Sequence, residues 1–81
     1  MRRECIELLT EGNREIEFLY REKKYSITYL RENGKKLISF CEFYKTPIDV
    51  TDANELLKIE VNGITLEKIF SELPDSAFSI Y

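Results

Sequence analysis

Catalysis needs side chains of suitable type at suitable spacing, and this chain offers few. Glu15 and Glu17 lie two apart. On a strand they share a face, as a glycosidase pair does, but no aromatic cleft or polar pocket accompanies them in sequence. Histidine is absent, which removes the commonest general base and the commonest zinc ligand. Cys5 and Cys41 cannot build a tetrahedral thiolate site alone, and two reduced, partly buried thiols are expected. Gly12, Gly34 and Gly63 are dispersed, so no glycine-rich phosphate loop is present. The expectation is a non-catalytic protein with no cofactor and no metal.

Binding chemistry has more to work with. Tyr20, Tyr25 and Tyr29 alternate onto the same side as Ile16, Phe18 and Ile27. They suit an aromatic platform for stacking bases, or a core with hydroxyls at its rim. The second is expected, because this is the one apolar face that can receive helices. Arg21, Lys23 and Lys24 cluster at one hairpin turn and Arg31, Lys35 and Lys36 at the next. Successive turns lie at opposite ends of a sheet, so these read as separate solvated tips. Residues 1–45 carry a net charge of +2 and residues 46–81 carry −5, giving −3 overall. With a pI near 5.0, direct nucleic-acid binding is not expected, since it relies on clustered cations.

Two candidate partner surfaces remain. Asp52, Glu55, Glu60, Glu67 and Glu72, with Asp49 and Asp75, can form a continuous negative surface over two helices. That surface suits a basic protein, including one that itself binds nucleic acid, or it is ordinary helix capping and solubility. Leu19, Leu30 and Leu37 fall on the sheet side away from the main core, together with Cys41. If uncovered, they make a small apolar patch for a partner or for a homodimer.

A chain of 81 residues makes one domain, residues 1–81. No run approaches the roughly 20 apolar residues that span a bilayer. The start, Met1-Arg2-Arg3-Glu4, is not a signal-peptide pattern. No membrane association and a cytoplasmic location are expected. Residues 3–11 read as a helix with Cys5, Ile6, Leu8 and Leu9 as its apolar stripe, stopped by Gly12 in the left-handed conformation. Residues 14–20, 25–30 and 37–44 alternate with period two, the third run placing Ile38, Phe40 and Tyr44 together.

Asn33-Gly34 signals a type I′ hairpin that faces Leu30 with Leu37 and Ile27 with Phe40. Glu22-Lys23 is the expected loop of the first hairpin, facing Tyr20 with Tyr25 and Phe18 with Ile27. Lys45-Thr46-Pro47 ends the third strand, and residues 48–50 connect onward. Asp52 and Glu55 have capping-box spacing at the start of a second helix. Residues 58–63 end that helix or link it onward. Thr65 caps a third, whose Leu66, Ile69, Phe70 and Leu73 make one face. Residues 75–81 alternate again, as a short fourth strand or a docked tail. The expected fold is α+β, a three-stranded antiparallel meander with an N-terminal helix and two C-terminal helices packed on it.

From Arg14-Glu15-Ile16-Glu17-Phe18 through Lys24-Tyr25-Ser26-Ile27, and over Val61-Asn62-Gly63-Ile64-Thr65-Leu66-Glu67-Lys68-Ile69-Phe70, the chain resembles a type of small uncharacterised protein of Firmicutes and their phages. Its motifs are structural, and the resemblance implies a phage or mobile-element origin without an activity. The functional expectation is a protein-binding module. A sharper form is an inhibitor of a host nuclease or CRISPR effector acting through the acidic face. The alternatives are a weak nucleic-acid binder using turn tips and tyrosines, and a ligand carrier or enzyme with a polar cavity.

Overall fold

Apolar side chains recurring at every second position leave water only if the strands pair and something covers the shared face. The computed structural model, which describes residues 1–43 and 45–81, meets both conditions. Helix α1 spans Arg3–Glu11. Strands β1 (Ile16–Tyr20), β2 (Lys23–Glu32), β3 (Lys35–Glu42) and β4 (Ile48–Val50) follow. Helix α2 (Ala53–Leu57), the short strands β5 (Glu60–Val61) and β6 (Ile64–Thr65), helix α3 (Leu66–Glu72), a 3-10 turn (Asp75–Ala77) and strand β7 (Phe78–Ile80) complete the chain.

The main sheet is antiparallel with five strands in the order β4-β3-β2-β1-β7, and β5 pairs only with β6. The fold class is α+β as expected, but the meander is the centre of a larger sheet. Residues 48–50 are a strand, with Val50 opposite Ile38. The third strand ends at Glu42, earlier than the Lys45-Thr46-Pro47 stop expected, where the Lys45 N–H turns back to the Glu42 carbonyl at 2.9 Å, and Pro47 directly precedes the returning strand. The C-terminal alternation is a fifth strand, with Phe78 opposite Phe18.

The second hairpin has the expected register, Leu30 facing Leu37 and Ile27 facing Phe40. The first is shifted by two residues, with Phe18 facing Tyr25 and Tyr20 facing Lys23. Its loop is Arg21-Glu22, at φ 51° and 66°. This is a left-handed two-residue turn built without glycine or asparagine. A shift of two preserves which side each residue faces, so the same apolar set is buried. Tyr44, expected beside Ile38 and Phe40, lies outside the described residues.

The helices also differ from expectation. Gly12 has φ −84°, and Asn13 at φ 55° takes the left-handed position instead. The Arg14 N–H then reaches the Leu9 carbonyl at 2.9 Å and the Asn13 N–H reaches the Thr10 carbonyl at 3.2 Å, the paired bonds of a Schellman stop. Asp52 accepts the Glu55 N–H at 2.8 Å to start α2, and Thr65 accepts the Lys68 N–H at 3.3 Å to start α3, both as expected. Residues 58–63 are neither helix nor plain link. Asn62 and Gly63, at φ 54° and 80°, turn the β5–β6 hairpin, and Leu66 N–H closes back on the Ile59 carbonyl at 2.8 Å.

All three helices cover one side of the sheet. Ile6 from α1, Leu56 and Leu57 from α2, and Leu66, Ile69 and Phe70 from α3 are buried with Ile16, Phe18, Tyr25, Ile27, Ile38 and Phe40. Phe18 is the hub: its ring lies 5.3 Å from Tyr25, 6.3 Å from Phe40, 5.0 Å from Phe70 and 5.8 Å from Phe78. Among the described residues no helix is long and apolar enough to cross a membrane.

Candidate functional site

A helix that covers a sheet presents one stripe to the core, and any apolar residue beyond that stripe stays in water. Helix α1 has such a surplus. Ile6 and Thr10 are buried and Leu9 packs partly on the core. Cys5 and Leu8, expected in the apolar stripe, are exposed, Leu8 at 68%. Thr10 takes the inward position at i+4 from Ile6, its hydroxyl donating to the Glu7 carbonyl at 3.0 Å. The expectation of two partly buried thiols is thus half met: both are free, Cys41 is half-buried and Cys5 is exposed.

Strand β7 supplies the facing wall. Phe78 and Ile80 sit opposite Phe18 and Ile16, so their side chains turn to the helix-covered side. Phe78 packs on Phe18 and on Phe70, 5.6 Å away. Ile80, at the sheet edge, is 41% exposed. Cys5, Leu8, Leu9, Phe78 and Ile80 line an open groove of about 810 Å³, with Arg2 and Asp75 at its rim. Arg14 holds the strand's end by donating to the Tyr81 carbonyl. Sequence reading missed this groove, because its walls are some 70 positions apart. The one available signal was an α1 stripe with more apolar residues than a nine-residue helix needs.

The two expected partner surfaces are arranged differently. Asp52, Glu55, Glu60, Glu67 and Glu72 are all exposed, but several have internal work. Asp52 caps α2. The Glu55 carboxylate accepts from the Thr51 hydroxyl and, at 2.8 Å, the Thr51 N–H, and the Thr51 contacts hold its pKa below the ordinary 4.5. Glu67 pairs with Arg3 at 3.1 Å, and Arg3 also donates to Asn54, tying α1 to α2 and α3. Glu60 and Glu72 make no ion pair among the described residues.

On the uncovered side of the sheet, Leu30 and Leu37 face each other. Leu19 sits opposite Lys24, six residues along β2 from Leu30, or about 20 Å at the usual rise. These leucines are therefore not one patch, and Ser26, Thr28 and Ser39 lie between.

The remaining candidates resolve into structural roles. Tyr25 is buried and stacked on Phe40 at 5.6 Å. The Tyr29 hydroxyl donates to the Arg14 carbonyl at 2.8 Å, and burial, helped by the Glu15 charge, pushes its pKa up to about 12. Among the turn cations, Lys36 donates to the Thr10 carbonyl at 2.6 Å and to Asn13 at 2.8 Å, Lys23 pairs with Glu42 at 3.5 Å, and Arg21 and Lys24 lie over the Tyr20 and Phe43 rings. Glu17 accepts from the Tyr81 hydroxyl at 3.4 Å. A polar notch of about 360 Å³ lies between α1 and α2 beside Glu7, Glu11, Lys36 and Asp52, and of these Lys36 and Asp52 are already engaged in holding helix ends. Among the described residues no group of three metal-ligating side chains comes together.

Comparison with protein-family models, with curated proteins and with solved structures returns no match.

Proposed function

We propose that this chain is a non-catalytic protein-binding module and that the groove between α1 and β7 is its docking surface. One observation carries the reading. A domain of 81 residues has little apolar surface to spare for its core, yet Leu8 and Ile80 stand exposed in one continuous groove. Apolar surface gathered in one concave place is characteristic of a partner site. The resemblance read at residues 14–27 and 61–70 to small proteins of Firmicutes and their phages suggests an accessory role in a phage or mobile element.

The test is affinity capture from a bacterial lysate with the wild-type chain and with Leu8→Glu as baits. Leu8 is exposed, so the substitution leaves the fold intact. A protein retained by the first bait and lost by the second is the expected result. Identical captures by the two baits refute the reading.

A second reading is the acidic surface docking into a basic groove, as an inhibitor of a nuclease or CRISPR effector would. It is favoured by the placement of Asp52, Glu55, Glu60, Glu67 and Glu72, all exposed, in a half whose cations are Lys58 and Lys68 alone. Charge reversal at Glu60 and Glu72 tests it without breaking a cap or the Arg3 pair. Unchanged, salt-insensitive capture by the reversed variant removes it.

A further inference from the structure

We infer that the free edge of β7 and the adjoining flank of α1 take an extended strand from a partner protein, apolar at alternate positions and basic at the positions between. This rests on the protein-binding reading and names the form of the partner.

The backbone of β7 sets the first requirement. The Tyr81 N–H donates to the Glu15 carbonyl at 2.8 Å, and Ser79 faces Glu17 two residues back. In an antiparallel ladder these are the pairs that exchange hydrogen bonds, so Ser79 and Tyr81 turn their backbone groups towards β1. Phe78 and Ile80 turn theirs outward. The Phe78 N–H is taken by the Asp75 carbonyl. The Phe78 carbonyl and both backbone groups of Ile80 are left along the edge, the arrangement that strand addition uses.

The groove sets the second. A strand added about 4.8 Å beyond β7 places alternate side chains on the same side as Phe78 and Ile80. There they enter the groove and meet Cys5, Leu8 and Leu9. Those positions must be apolar to be buried without loss.

Charge sets the third. On α1, Glu4 and Glu11 stand four before and three after Leu8, flanking it on the helix surface. Asp75 lines the groove, and Glu15 and Glu17 lie on the neighbouring strand and its approach. The nearby cations are Arg2, the Met1 ammonium, which donates to the Phe70 carbonyl at 2.6 Å, and Arg14, which is held by the Tyr81 carbonyl. The positions between alternate to the opposite side of the sheet, the side of Glu15 and Glu17, and those carboxylates select basic residues there. A second copy of this chain, net −3, would set Glu4, Glu11 and Asp75 of both copies near one another, so the charges favour a different protein.

The probe is a fluorescein-labelled heptapeptide alternating valine with lysine, read by anisotropy and by amide chemical shifts of the labelled protein. The expected result is saturable binding with shifts concentrated at residues 5–9 and 78–81. The same peptide with glutamate for lysine should bind at least tenfold more weakly. Ile80→Pro removes the outward N–H and spares the β1 ladder, since proline is tolerated where a strand N–H faces solvent. It should weaken binding at least tenfold with an unchanged circular dichroism spectrum. If that variant does not fold, a peptide N-methylated at alternate backbone positions asks the same question of the wild-type chain, and it too should bind at least tenfold more weakly.

Absence of binding at millimolar peptide, equal binding of the lysine and glutamate peptides, or shifts centred on α2 and α3 overturn the inference. So does undiminished binding by folded Ile80→Pro or by the N-methylated peptide. Self-association of the protein through the same amides would assign the edge to a second copy and overturn it too. A lysate protein lost on Leu8→Glu, with no peptide binding, leaves the docking groove standing and removes strand addition alone.

Discussion

The first hairpin offers a test in which two registers predict opposite signs. In the structure the loop is Arg21-Glu22 and Lys23 is the first paired residue of β2. Glu22 sits at φ 66°, where an L-residue with a Cβ is disfavoured by about 1–2 kcal/mol. Glu22→Gly removes that strain and adds unfolded-state freedom worth about 0.5–1 kcal/mol against folding. The net gain is about 0.7 kcal/mol, a rise in midpoint of about 3–5 °C for a domain of this size. Lys23→Gly, by contrast, puts glycine into a paired strand position and costs about 0.5–1 kcal/mol, a fall of about 3–6 °C. If the loop were Glu22-Lys23 instead, Lys23 would be a turn residue and its replacement by glycine would stabilise. Thermal melts followed by circular dichroism, with urea titrations to check that the slope is unchanged, measure both variants. A stabilised Lys23→Gly would refute the assigned register and the left-handed turn with it.

Other expected outcomes follow from contacts already described. Phe18→Ala empties the aromatic hub at about 3–5 kcal/mol, comparable with the whole stability of so small a domain, so the purified variant should show no cooperative melt. Tyr29 has a folded pKa of about 12 against an ordinary 10.0. Its contribution is therefore complete below pH 10 and lost as pH rises from 10 through 12, so the stability gap between wild type and Tyr29→Phe should close over that interval. Glu55 is shifted the other way, lowered by its Thr51 bonds. Its contribution is present above the ordinary 4.5 and lost as pH falls below it, so wild type and Glu55→Gln should converge in acid urea titrations. Arg3→Ala, which releases Glu67 at an exposed site, should cost less than about 1 kcal/mol in denaturant titrations.

What could be read from the sequence depended on whether a local signal existed. Asn33-Gly34 is a turn that only one geometry satisfies comfortably, and its register was recovered pair for pair. Arg21-Glu22 bends the chain the same way without either residue type. In the observed register Phe18 stacks on Tyr25 and Phe40, and no dipeptide announces that pairing. Asn62-Gly63 carries the same turn signal as Asn33-Gly34, but its strands are two residues each, too short for alternation to show. Strands β4 and β7 are three residues each and are strands only because β3 and β1 offer edges. The acidic and leucine surfaces were named from spacing, and three dimensions redistribute them: Glu67 goes to Arg3, Glu55 to Thr51, and Leu19 to the far end of the sheet from Leu30 and Leu37. The groove has no linear trace because α1 and β7 meet only across the folded sheet.

The position of β7 next to β1 also dictates an order of assembly. The β2–β3 hairpin closes across two residues, whereas pairing Phe18 with Phe78 closes a loop of sixty. By the logarithmic cost of loop closure the second step is dearer by about 3 kcal/mol in chain entropy. Local hairpins form in microseconds, so the meander is in place while the outer edge of β1 still waits for its neighbour. During that interval Ile16 and Phe18 lie at an open edge, and β7 of another molecule fits there as well as the chain's own. Refolding at high concentration therefore favours exchange of this terminal strand between molecules, and dilute refolding favours the closed monomer.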